Sequence, residues 1–204
     1  MLATLNYYTC VKPFKIGFGF WFQWVLVTFL GFLVSLYWIE VGEKPDIRII
    51  EAAIGGVAIG LAQWFVLRQK FFYAEWWIVA SFVSWSFLES SGIGAIGWVA
   101  PRTLSIPIRI IFGVVTGAQV GALMGVAQWL VLWKQVENAW RWILASTVSW
   151  ALALALGWMV GGVLRLVTGI FLAEVVGLAL VWILVGVMTG VTLCRVAGDS
   201  AEKA

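Results

Sequence analysis

Residues 55–67 read GGVAIGLAQWFVL, and residues 120–132, 65 positions later, read VGALMGVAQWLVL. Gly56, Gly60, Ala62, Gln63, Trp64, Val66 and Leu67 recur as Gly121, Gly125, Ala127, Gln128, Trp129, Val131 and Leu132. Both runs are uncharged, and they lack the period-two alternation of a strand, so they read as helices in an apolar medium. The match continues downstream at the same offset, where WIVASFVSW (77–85) pairs with WILASTVSW (142–150).

A further step of 65 takes Gly121 and Gly125 to Gly186 and Gly190, but there the Gln-Trp pair has become Leu193-Cys194. Upstream, WVLVTFLGF (24–32) resembles the WIVASFVSW type, with Thr28 at the Ser81 position. The chain therefore reads as three parallel helical hairpins, over about 16–68, 76–133 and 140–195. Each has an A helix starting at Trp24, Trp77 or Trp142 and a B helix carrying Gly-x3-Gly. Parallel copies suggest a pseudo-threefold or stacked bundle rather than an inverted-repeat core.

Composition agrees with membrane burial. Of 204 residues, 63% are hydrophobic and 11% charged, with 15 tryptophans and no histidine. A soluble domain carries roughly 25% charged residues. A soluble globular domain, a disordered chain, a disulfide scaffold and a nucleic-acid binder are all excluded on this ground; Cys10 and Cys194 near the chain ends allow no dense disulfide framework. Each membrane span needs about 20 apolar residues. Six fit: 16–39, 50–68, 76–99, 106–133, 140–163 and 166–195. The fold class is all-α, a single transmembrane domain over residues 1–204. Polar loops and Pro or Gly separate the spans, the weakest break being Gly161, Gly162 and Arg165. Met1 to Lys15 have no short apolar stretch followed by a small-residue cleavage site, so no cleaved signal is expected.

Orientation follows the lysine and arginine bias. One side collects both termini with Lys12, Lys15, Arg68, Lys70, Lys134, Arg141, Arg195 and Lys203. The other collects Lys44, Arg48, Arg102, Arg109 and Arg165, with most of the acids. Both termini are expected in the cytoplasm.

The glycine pairs Gly56/Gly60, Gly121/Gly125 and Gly186/Gly190 put bare backbone on one helix face. They serve either tight packing between B helices or a groove for a flat ligand. Gln63 and Gln128 lie one to two turns inside the boundary, in reach of Ser81 or Ser84 and of Ser146 or Ser149. An intramembrane amide needs a partner. The glutamines are thus either hydrogen-bonded clips within a hairpin or ligand oxygens, for a pigment magnesium or a polar substrate. Trp64 and Trp129 beside them join an aromatic belt at the cytoplasmic boundary with Trp21, Trp24, Trp76, Trp77, Trp133, Trp140 and Trp142. Trp38, Trp98 and Trp158 mark the opposite boundary, while Trp85, Trp150 and Trp182 read as packing. Glu89, Arg109, Arg165 and Glu174 form an outer ion-pair cluster, with Glu89 the deepest and the first candidate for a polar site. Enzyme chemistry is poorly supplied, with no histidine, no metal-ligand cluster and no activated nucleophile.

GLAQWFVLR (60–68) followed by WWIVASFVSW (76–85) resembles a group of tryptophan-rich, multi-pass membrane proteins found mainly in cyanobacteria and related bacteria, whose function is unassigned. The resemblance covers about half the chain and implies a bacterial inner or thylakoid membrane. Two functions are expected. The first is a non-enzymatic membrane subunit that packs lipid, a pigment such as chlorophyll or carotenoid, or a partner membrane protein, in a larger complex or a homo-oligomer. The alternative is a small transporter or the substrate-binding membrane component of one.

Overall fold

A computed structural model describes residues 17–43 and 47–201, with side chains through residue 196. Cys10, Lys12, Lys15, Lys44, Pro45, Asp46 and Lys203 lie outside the described residues, and with them the placement of the termini. Among the described residues six helices follow one another: α1 (Phe18–Ser35), α2 (Ile49–Leu67), α3 (Trp76–Ser90), α4 (Ile106–Leu132), α5 (Arg141–Thr168) and α6 (Leu172–Ala201). Among the described residues there is no strand, only one isolated bridge between Gly42 and Val99. Of these described helices five are long and apolar enough to cross a membrane, and α3 is the exception.

Each helix packs on its chain neighbours, and α1 also packs on α6, so the six close into a ring. The inward face of the odd helices is spelled by a four-residue step. Trp24, Thr28 and Phe32 of α1 are buried, as are Trp77, Ser81 and Trp85 of α3, and Trp142, Ser146 and Trp150 of α5. A four-residue step advances the helix by about 40° beyond one turn, so these residues line one face. The resulting layers are tryptophan at one end, hydroxyls in the middle and large rings beyond. In the first layer Trp77 meets Trp24 at 5.9 Å and Trp142 at 5.4 Å between ring centroids. In the third, Trp85, Trp150 and Trp182 contact one another edge-on or tilted, and Phe32 stacks on Trp182 at 5.9 Å.

The glycine pairs seat each even helix on the odd helix next to it in the ring, not on another B helix. A methyl placed on Gly56 would meet the Ser81 carbonyl at 2.8 Å, and one on Gly121 the Thr147 Cα at 2.6 Å. Gly186 and Gly190 sit against Val25 and Trp24, across the closure between α6 and α1. The α4–α5 contact continues this way through Gly113 and Gly117, which leave no room for a Cβ beside Ala155 and Ala151. The α5–α6 contact uses Gly157, Gly161 and Gly177.

Two segment boundaries differ from the sequence reading. The span read as 76–99 is helical only to Ser90, about 22 Å of helix. Beyond it Gly92 and Gly94 take left-handed backbone, with φ of +81° and +89°, and turn the chain inward. Residues 95–100 are then buried as a non-helical plug within one end of the ring. Such backbone is tolerated at membrane depth only when protein covers it and supplies partners. The second boundary is the break read at Gly161–Arg165. Those residues are helical, their glycines serving contact with α6 and Arg109, and the chain turns instead at Gly169, φ +70°.

The α2–α3 and α4–α5 loops lie at the end opposite the plug, called here the near end. They are built alike. Tyr73 and Asn138 both take left-handed backbone, and their carbonyls accept from the amides of Trp76 and Arg141 respectively.

Candidate functional site

The polar groups of the interior fall into two sets. The first lies around the near-end tryptophans. Trp77 Nε1 donates to Gln63 Oε1 at 2.8 Å, and Trp142 Nε1 donates to Gln128 Oε1 at 3.1 Å. Gln63 Nε2 in turn donates to Thr28 Oγ1 at 3.2 Å, so one amide ties α1, α2 and α3. Trp24 makes the matching contact across the ring closure. Its Nε1 donates to Thr189 Oγ1 at 3.0 Å, one turn before the position where glutamine has become Leu193.

The partners of Gln63 and Gln128 are therefore indoles rather than the serines expected. The helix places Gln63 inward and Trp64 about 100° away, half-buried, where the Arg68 guanidinium covers its ring at 4.7 Å. Trp129 is likewise half-buried and leans on Trp133. Ser146 and Ser149 are buried on α5, Ser146 against Gly125. Ser81 Oγ, Ser84 Oγ and Trp85 Nε1 are buried with no hydrogen-bond partner among the described residues. The belt assignment is also corrected for five tryptophans. Trp24, Trp77, Trp142, Trp98 and Trp158 are core residues, while Trp38, Trp76, Trp133 and Trp140 do face outward.

The second set fastens the plug. Trp98 Nε1 donates to Ser35 Oγ at 2.7 Å, Trp182 Nε1 to the Gly97 carbonyl at 3.0 Å and Trp158 Nε1 to the Val99 carbonyl at 3.0 Å. Glu89 is half-buried, and its carboxylate accepts the Ala95 amide at 2.7 Å. It is thus a cap for the plug and stands apart from the other outer charges. Arg109, fully buried, uses its whole fork. Nε donates to the Thr103 carbonyl, Nη1 to the Trp158 carbonyl and Glu174, and Nη2 to the Pro101 carbonyl and Glu174. Arg165 adds an ion pair to Glu43 and lies 3.5 Å from Glu174. Arg109 and Glu174, each in the first turn of its helix, are as buried as the core.

Sequence reasoning missed Thr189, Ser35 and the carbonyls of the plug. For Thr189 a signal existed: the third copy lost its glutamine, and a hydroxyl stands one turn away. Ser35 and the plug carbonyls had none, because their partners lie at least 59 positions distant.

Among the described residues no three potential metal ligands converge. The outer face instead carries grooves. One, of about 780 Å³, runs between α1, α2 and α3 and is almost wholly apolar. Another, of about 690 Å³, opens between α3 and α4. No protein-family model, curated protein or solved structure matches the chain.

Proposed function

We propose that this chain is a non-enzymatic integral membrane subunit that packs lipid, pigment or a partner membrane protein against its glycine- and tryptophan-rich surfaces. One observation carries this. Inside the ring, the Gln63 and Gln128 oxygens accept indole N–H groups and Arg109 is paired with Glu174 and backbone carbonyls, while the outer face carries apolar grooves. The body is a scaffold, and recognition belongs to its surface. A pigment would occupy an outer groove rather than the glutamines, whose oxygens already accept indole N–H groups.

The scaffold is three repeated hairpins closed with pseudo-threefold symmetry. Three features support this: the inward four-residue step shared by α1, α3 and α5, the matching turns at Tyr73 and Asn138, and the indole bonds of Trp24, Trp77 and Trp142 to the neighbouring even helix. Its setting is a bacterial inner or thylakoid membrane with both termini cytoplasmic, in a larger complex or a homo-oligomer.

The test is gentle purification from the native membrane, with an absorption spectrum and mass spectrometry of what co-elutes. Stoichiometric lipid, pigment or partner chains are expected. A monomeric, ligand-free and unassociated protein overturns the proposal. The rival reading, a small transporter, draws on the buried Ser81 and Ser84 hydroxyls and Trp85 indole, which have no hydrogen-bond partner among the described residues. Saturable uptake by reconstituted vesicles would favour it.

A further inference from the structure

The odd-to-even junctions of the ring are not alike. Gly157, Gly161 and Gly177 draw α5 and α6 together, whereas α3 and α4 meet least closely of all neighbours. The groove in this open seam has walls of Val79, Val83 and Leu130 and, at the near end, a rim of Tyr73, Trp76 and Trp133. Lys134 and Gln135 also line it. Lys134 is exposed, its ammonium 5.0 Å from the Trp133 ring, and it meets no carboxylate among the described residues. Gln135 is more than nine-tenths buried; its Nε2 donates to the Val131 carbonyl at 2.8 Å, and its Oε1 has no partner among the described residues.

An apolar trough calls for an acyl chain. A cation at its mouth, among aromatic rings that favour the headgroup level, calls for an anion. We propose that the α3–α4 seam binds one anionic phospholipid. The acyl chain lies along Val79, Val83 and Leu130, and the phosphate meets Lys134 Nζ. This rests on the membrane-subunit reading and names the ligand of one surface of it.

The experiment uses the full chain, purified in detergent and stripped of lipid, with adducts counted by native mass spectrometry. Two probes are added back: phosphatidylglycerol (anionic) and phosphatidylcholine (no net charge). Retention of one phosphatidylglycerol is expected, in preference to phosphatidylcholine. Lys134→Gln, an exposed position that leaves the fold alone, should lower that preference about fivefold. Ala127→Phe, on the groove wall, should abolish retention of both. Equal retention of the two lipids by the unaltered protein overturns the proposal, as does an unchanged preference in Lys134→Gln or bound phosphatidylglycerol in Ala127→Phe. A protein that stays dispersed without detergent overturns the membrane reading itself; a detergent-requiring protein with no lipid preference overturns only the seam site.

Discussion

Arg109 on α4 grips both carboxylate oxygens of Glu174 on α6, at 2.8 and 2.6 Å, with both side chains buried. The two residues stand 65 positions apart and tie the start of α4, the start of α6, α5 and the segment that follows the plug into one knot. Removing one partner of a buried pair leaves an uncompensated charge, at a cost of about 3–5 kcal/mol. Arg109→Gln and Glu174→Gln should each lose that much stability, measured by unfolding in detergent. The double change Arg109→Met with Glu174→Leu should recover only part of it, because three backbone carbonyls still lose their donor.

The glycines should rank by the space each leaves. Gly121→Ala brings a methyl within 2.6 Å of the Thr147 Cα, and backbone cannot step aside. A loss of about 1–3 kcal/mol is expected from overpacking. Gly186→Ala meets Val25 Cα at 3.2 Å and should cost less than about 1 kcal/mol. Gly19→Ala meets nothing within 4 Å and should cost nothing. Melting temperatures of the three variants out of that order would refute close helix contact as the role of Gly121.

Trp77 and Gln63 should prove coupled. Trp77→Phe strands a buried amide oxygen, for about 1–3 kcal/mol. Gln63→Leu strands the indole N–H and the Thr28 hydroxyl. With both removed, the loss should fall short of the sum by about 0.5–3 kcal/mol, as for residues in direct contact. A double-mutant cycle in denaturant reads this directly, and strict additivity would count against the bond.

The plug should open locally when its cap is removed. Glu89→Ala takes away the charged acceptor of the Ala95 amide. Hydrogen bonds to charged groups contribute about 1.5–3 kcal/mol, so amide exchange across residues 93–100 should rise at least about tenfold. Exchange in α4 and α5 should not change. Trp98→Phe, which frees Ser35, should loosen the same segment from the α1 side.

The sequence made the helices legible because long apolar runs leave the backbone no other partner. It misjudged α3 for the same reason. Residues 91–100 are as apolar as a span, since the plug is buried like one, and hydropathy does not separate helix from covered coil. Gly92 and Gly94 were the visible warning. Of the candidate site residues, the inward placement of Gln63 and Gln128 followed from the need of a buried amide for a partner. Which partner it found did not, because Trp77 and Trp142 had been assigned to the boundary on residue type alone.

By itself the sequence determined that this chain forms long apolar helices with small residues on one face, because residue chemistry and a period of 3.6 act locally. The tertiary structure alone decided three things. It closed α6 onto α1, it turned the end of the third span into a plug, and it set Arg109 against Glu174. Each depends on groups far apart in the chain reaching the same few ångströms, and only packing brings them there.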